Sequence, residues 1–207
     1  TPWWRNSIGP SALLGDPTLA PETEAAKYLK EAFKSDDGDN PGAPDVKAAL
    51  EGARWILMEM FAEDAELVGG LRQFLWDRAD WTSTVIAGKE QEGIKFSDYF
   101  SAAEPVKNIP SHRVLALFRG RNEGFLRVAV TPPEADGEPG PSEPERRIAG
   151  RFHIESKGRP AEAWLAETVR WTWRIKLLSH LSIEVEQRLR EMAEAEAIRV
   201  FGSNLHD

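Results

Sequence analysis

The sequence predicts a mainly α protein: a helical scaffold with a long C-terminal helix and a small two-stranded β element near 82–87 and 124–130. Three observations carry this. Apolar residues recur at helical spacing through most of the chain. From Ala161 to Phe201 no proline or glycine interrupts that spacing. The segments Thr82–Ala87 and Phe125–Val130 are instead β-branched or alternating, and are expected to pair.

Taken in order, Pro21–Lys34 carries Ala25, Ala26, Leu29, Ala32 and Phe33 at helical spacing, with acids early and lysines late, as a helix dipole favours. Ser35–Pro44 is acidic and full of turn residues, and reads as a loop. Asp45 is the expected N-cap of a helix through Phe61, with Val46, Ala49, Leu50, Ala53, Ile56, Leu57 and Met60 on its apolar side. A second helix from about Ala62 to Asp80 completes a helical hairpin, weakened at Gly69-Gly70 by about 1 kcal/mol per glycine relative to alanine. Short helices are expected near Phe96–Phe100 and Pro144–Phe152, and a longer one over Ser111–Arg119. Between the last two, Thr131–Pro144 holds five prolines and four acids, a composition that reads as an exposed or disordered loop.

In the C-terminal helix Leu165, Val169, Trp173, Leu177 and Leu181 follow one another at i, i+4, and Trp164, Trp171, Ile175 and Leu178 widen the apolar arc. Past Ser182 the pattern thins to Val185, Leu189, Met192, Ile198 and Phe201, as on a helix solvated along one face. A bend is expected near Ser179–Ser182. A helix of this length resembles a strut between domains. Residues 12–80 then form a helical lobe, 81–157 a mixed lobe containing the acidic loop 131–144, and 158–207 the strut.

Composition removes several function classes. No run of about 18 apolar residues exists, so no membrane span is expected. The absence of cysteine rules out disulfides and thiolate metal sites, and fits a reducing cytoplasm. The net charge of −8 argues against a nucleic-acid footprint over the whole surface, so phosphate contact needs a local patch. The four histidines lie far apart with no second ligand at metal spacing, and Gly88-Lys89-Glu90 lacks the rest of a phosphate-binding loop. Neither a catalytic constellation nor a cofactor site is present, and the chain is not expected to be an enzyme; a hydrolase or nuclease would need clustered acids or histidines.

One segment stands apart in charge. Ser111–Arg127 holds four arginines against one glutamate inside an acidic chain. Gly120 and Gly124 mark positions of close backbone approach or positive φ, with Arg119 just before them and Arg121 and Asn122 between them on a short, stiff turn. Arg113, Arg119, Arg121 and Asn122, joined by Lys89 and Lys95, are the candidate nucleic-acid-binding residues. The competing expectation is that these cations pair with carboxylates elsewhere in the fold. A second basic–aromatic run, Arg170–Lys176, could stack bases, but its place in the apolar arc favours Trp171 and Trp173 as core, with Arg170 and Arg174 reaching outward.

The stretches DVKAALEGARWILMEMFAEDAELVGGLRQFLW (Asp45–Trp76), GKEQEGIKFSDYF (Gly88–Phe100), IPSHRVLALFRGRNEGFL (Ile109–Leu126), WTWRIKLLSHL (Trp171–Leu181) and AEAEAIRVFGSNLHD (Ala193–Asp207) resemble the bacterial Tex family of transcription accessory proteins. The likeness runs in order from Ala12 to Asp207, while residues 1–11 do not match and look foreign to the family. It implies part of a longer cytoplasmic protein that binds nucleic acid, RNA more than DNA, mainly through a later OB-fold domain. Partners among the transcription or translation machinery are implied with it. A ribonuclease-H-like domain and a helix-hairpin-helix region would also follow Asp207. The family supplies no agreed binding residue within this stretch.

Overall fold

A computed structural model describes residues 9–31, 33–35, 38–40, 42–133 and 140–204. The mismatching N-terminus up to residue 8, and residues 134–139 of the acidic proline-rich loop, lie outside the described residues. The helices are α1 (Gly9–Gly15), α2 (Pro21–Ala25), α3 (Val46–Ala62), α4 (Ala65–Arg78), α5 (Ser111–Asn122), α6 (Glu143–Arg151), α7 (Glu162–Trp171) and α8 (Leu178–Asn204). The strands are β1 (Phe33–Ser35), β2 (Gly38–Asn40), β3 (Asp80–Val85), β4 (Ser101–Pro105) and β5 (Leu126–Thr131). The chain is mainly α, as expected.

Two units share the elements. The first comprises Thr1–Val68 and Glu138–Leu177, the second Gly69–Gly137 and Leu178–Asp207. Each is drawn from two separated stretches of the chain. The change of unit at Gly69 falls within α4, so α3 and most of α4 belong to different units.

In the first unit α3 packs against α1, α2 and α7. Its N-cap is as predicted: the Asp45 carboxylate accepts from the Ala48 amide at 2.8 Å. The buried face is Arg54, Leu57, Met58 and Phe61, spaced i, i+3, i+4, i+7. Met60, expected inside, is 37% exposed because it lies off that stripe.

The helix predicted over Pro21–Lys34 is shorter. After α2 one 3-10 turn ends at Tyr28 and Leu29 turns extended (ψ 133°). Reciprocal Lys30–Ala43 backbone bonds of 2.9 and 2.7 Å then draw the chain into the β1–β2 hairpin, which occupies much of the expected Ser35–Pro44 loop. Gly42 makes that closure possible: φ is +68°, and any side chain there would strike the Lys30 and Glu31 carbonyls.

α6 begins where Glu145 accepts from the Ser142 amide at 3.0 Å. It ends in a Schellman turn, with Ile154 N–H donating to the Ala149 carbonyl at 2.9 Å. His153 fills the left-handed position at φ 55°. Glycine takes that conformation without Cβ strain, so His153→Gly is expected to stabilise the first unit by about 0.5–1 kcal/mol in thermal melting. An unchanged or lower melting point would refute the strain.

From Glu162 to Asn204 the chain is helical throughout, but Thr172–Leu177 forms a π turn. The irregularity therefore precedes the bend expected at Ser179–Ser182. A local cause is visible: the Thr168 and Thr172 hydroxyls donate to the carbonyls of Trp164 and Thr168, at 2.9 and 2.8 Å, competing for the acceptors of the α-helical ladder. The apolar arc is also narrower than predicted, since Trp164 and Trp171 are half-buried and Ile175 is exposed. Trp173 is buried and Arg174 reaches out to Glu145, as the core reading of that run requires.

The second unit is built on a three-stranded antiparallel sheet of order β4-β3-β5. The predicted pairing of two strands holds, with Trp81 opposite Val130 and Ser83 opposite Val128. β4 was not predicted, because Ser-Ala-Ala-Glu-Pro has no β-branched residue; its partnership with β3 imposes the extended form. α5 and α8 pack together and each contacts β5, enclosing Trp81, Val114, Leu117, Phe118, Leu126 and Leu181. The Phe118 and Trp81 rings meet edge to face, 4.9 Å between centroids.

Candidate nucleic-acid interface

α5 carries the basic segment, and it runs further than predicted. Arg119, Arg121 and Asn122 are not on a turn but in its last helical turn, which closes at Glu123, before Gly124 at φ +78°. Gly120 has no positive φ; it is buried within the helix, where a Cβ would stand 2.5 Å from Leu126 Cδ1. The two glycines thus meet the two different demands that the sequence suggested together.

Each candidate cation has a carboxylate. Arg113 donates to Glu104 on β4. Arg119 Nε donates to Glu123 Oε1 at 2.7 Å, and Lys95 binds the other oxygen of the same carboxylate. Arg121 Nη1 donates to Glu186 on α8 at 2.7 Å, with its guanidinium 4.9 Å from the Phe118 ring centroid. Lys89 Nζ reaches Glu92 at 2.9 Å. Asn122 is exposed at the end of α5. Only Lys95 and Arg119 converge, and they do so on Glu123.

The electrostatics follow from these bonds. Hydrogen bonds from Lys95 and then Arg119 hold the Glu123 carboxyl below the ordinary glutamate range. A lowered folded-state pKa adds stability above the unfolded value and loses it as pH falls through the folded one. The melting advantage of wild type over Glu123→Gln is therefore expected to be full at neutral pH and to vanish in acid below the usual carboxylate range. A constant difference across the titration would contradict it. At Arg113 the Glu104 hydrogen bond acts in the same sense, raising the guanidinium's pKa.

Two α8 arginines, absent from the sequence-based candidates, also meet aromatic rings. Arg190 lies 4.4 Å from the Phe118 centroid and Arg188 lies 3.7 Å from that of Trp76. Nothing in local spacing marks them, since their partners lie far away in sequence. Among the described residues no group of three or more His, Cys, Asp or Glu is placed to hold a metal, and no helix is long and apolar enough to cross a membrane.

A family profile described as Tex central region-like matches residues 16–201. The chain belongs to the Tex family. It is 51% identical over 169 residues to the transcriptional accessory protein Tex of Neisseria gonorrhoeae, covering 81% of this chain and 22% of that protein. Protein YhgF of Escherichia coli is 47% identical over 196 residues, 94% of this chain and 24% of its own length. Protein tex of Bordetella pertussis is 45% identical over 206 residues, 95% of this chain and 24% of its own length. The chain therefore spans about a quarter of these Tex relatives.

Proposed function

We propose that this segment is a non-catalytic helical scaffold within a cytoplasmic, nucleic-acid-binding transcription accessory protein, whose RNA contacts lie mainly outside the segment. One observation carries the reading. The cations that could form a phosphate site are engaged with carboxylates, and the Arg113 and Arg121 pairs tie α5 to β4 and to α8. An anion would have to compete with those carboxylates for the positive charge. The gonococcal relative is named a transcriptional accessory protein, which supports the transcription setting.

Arg121→Ala distinguishes scaffold from ligand site. It removes a half-buried ion pair and a ring contact, so unfolding should become easier by about 1–2 kcal/mol. RNA binding by the full-length protein should keep its affinity and its salt slope. A weaker affinity and shallower slope with unchanged melting would instead make Arg121 a phosphate ligand.

A further inference from the structure

On α8 the residues Leu181, Val185, Leu189 and Ala193, four apart, are all buried in the second unit. The same spacing continues to Ala197 and Phe201, and there the cover ends. Phe201 is 68% exposed, and Ile198 beside it is 73% exposed. Ala197, Val200 and Phe201 form one wall of an open groove of about 640 Å³, with Pro110, His112 and Leu115 at the start of α5 opposite. An apolar stripe that leaves its own core and enters a groove marks an interaction surface.

We propose that this groove seats an apolar segment of the same polypeptide, contributed by the part of the full-length protein outside these 207 residues. Size favours that occupant over a second copy. A stable interface between separate chains buries about 1,200–2,000 Å², beyond what three or four side chains offer. A tethered segment needs less, because the linker holds it at an effective concentration of order millimolar. About three-quarters of each relative's length lies beyond the matched stretch, so polypeptide is available to fill it. The inference deepens the scaffold reading and rests on it only in treating this stretch as part of a longer chain.

The test is photo-cross-linking in the full-length protein, with p-benzoylphenylalanine replacing Phe201. The expected product has monomer mass, and its linked peptide maps outside the 207 residues. A dimer-mass product assigns the groove to a second copy, a link back to residues 110–115 shows it closing on itself, and no link shows it open; each overturns the proposal. In the same protein Phe201→Asp should speed hydrogen exchange in the linked peptide by about tenfold, and an unchanged rate also overturns it. Phe201 is exposed within the segment itself, so the substitution spares its core. None of these failures alters the outcome for Arg121→Ala, so the two readings fall separately.

Discussion

Arg54→Ala is expected to destabilise the first unit by about 2–4 kcal/mol, the scale of emptying a large buried side chain. Arg54 is 8% exposed on the packed face of α3, an unusual place for a cation. Its guanidinium lies 4.6 Å from the Trp171 centroid and 5.5 Å from that of Trp164. Nη2 donates to Glu167 at 2.5 Å, and Nε donates to the Thr168 hydroxyl at 3.3 Å. Glu167 is half-exposed and stays hydrated when its partner goes, so most of the loss comes from packing and the ring contacts. Arg54→Lys should therefore recover little, since an ammonium keeps the charge without the planar stack, whereas Arg54→Met should recover more by filling the volume. Denaturant titration followed by tryptophan fluorescence reads the series directly. Lys rescuing better than Met would show that the ion pair, not the packing, holds α3 to α7.

That arrangement shows where sequence reasoning stops. α3 was legible because its N-cap and apolar spacing are local, and β3 and β5 because their residue types suit an extended chain. Arg54 was not, because a cation at a core position makes sense only once Trp164 and Trp171 face it, more than a hundred residues away. β1 and β2 were hidden for a related reason. Phe33 continues a helical apolar pattern, and only the Lys30–Ala43 pairing, with Gly42 at positive φ, overrides it. In the candidate interface the positive charge was read correctly from the segment. That carboxylates elsewhere would pair with it was expected too, but not which ones, since Glu104 and Glu186 sit 9 and 65 residues from the arginines they bind.

Gly120→Val should cost the second unit about 3 kcal/mol or more, the upper range for overpacking a core. Gly120 packs α5 directly on β5. A Cβ there would meet Leu126 Cδ1 at 2.5 Å, Leu126 Cγ at 2.9 Å and Phe96 Cδ1 at 3.3 Å. Leu126 cannot retreat, because it is buried and opposite Val85 in the sheet. Alanine would gain about 1 kcal/mol of helix propensity against a contact cost of about 1–3 kcal/mol, leaving a modest net loss. Valine adds two γ carbons in the same space and gives up most of the propensity gain. Gly124→Ala is the informative companion: φ is +78° but the space around it is open, so only the left-handed strain of about 1–2 kcal/mol applies. Thermal melting should rank Gly120→Val well below Gly124→Ala. Equal melting of the two would mean that helix and strand do not need this close approach, and that the glycine of the Arg-Gly-Arg triplet serves something other than packing.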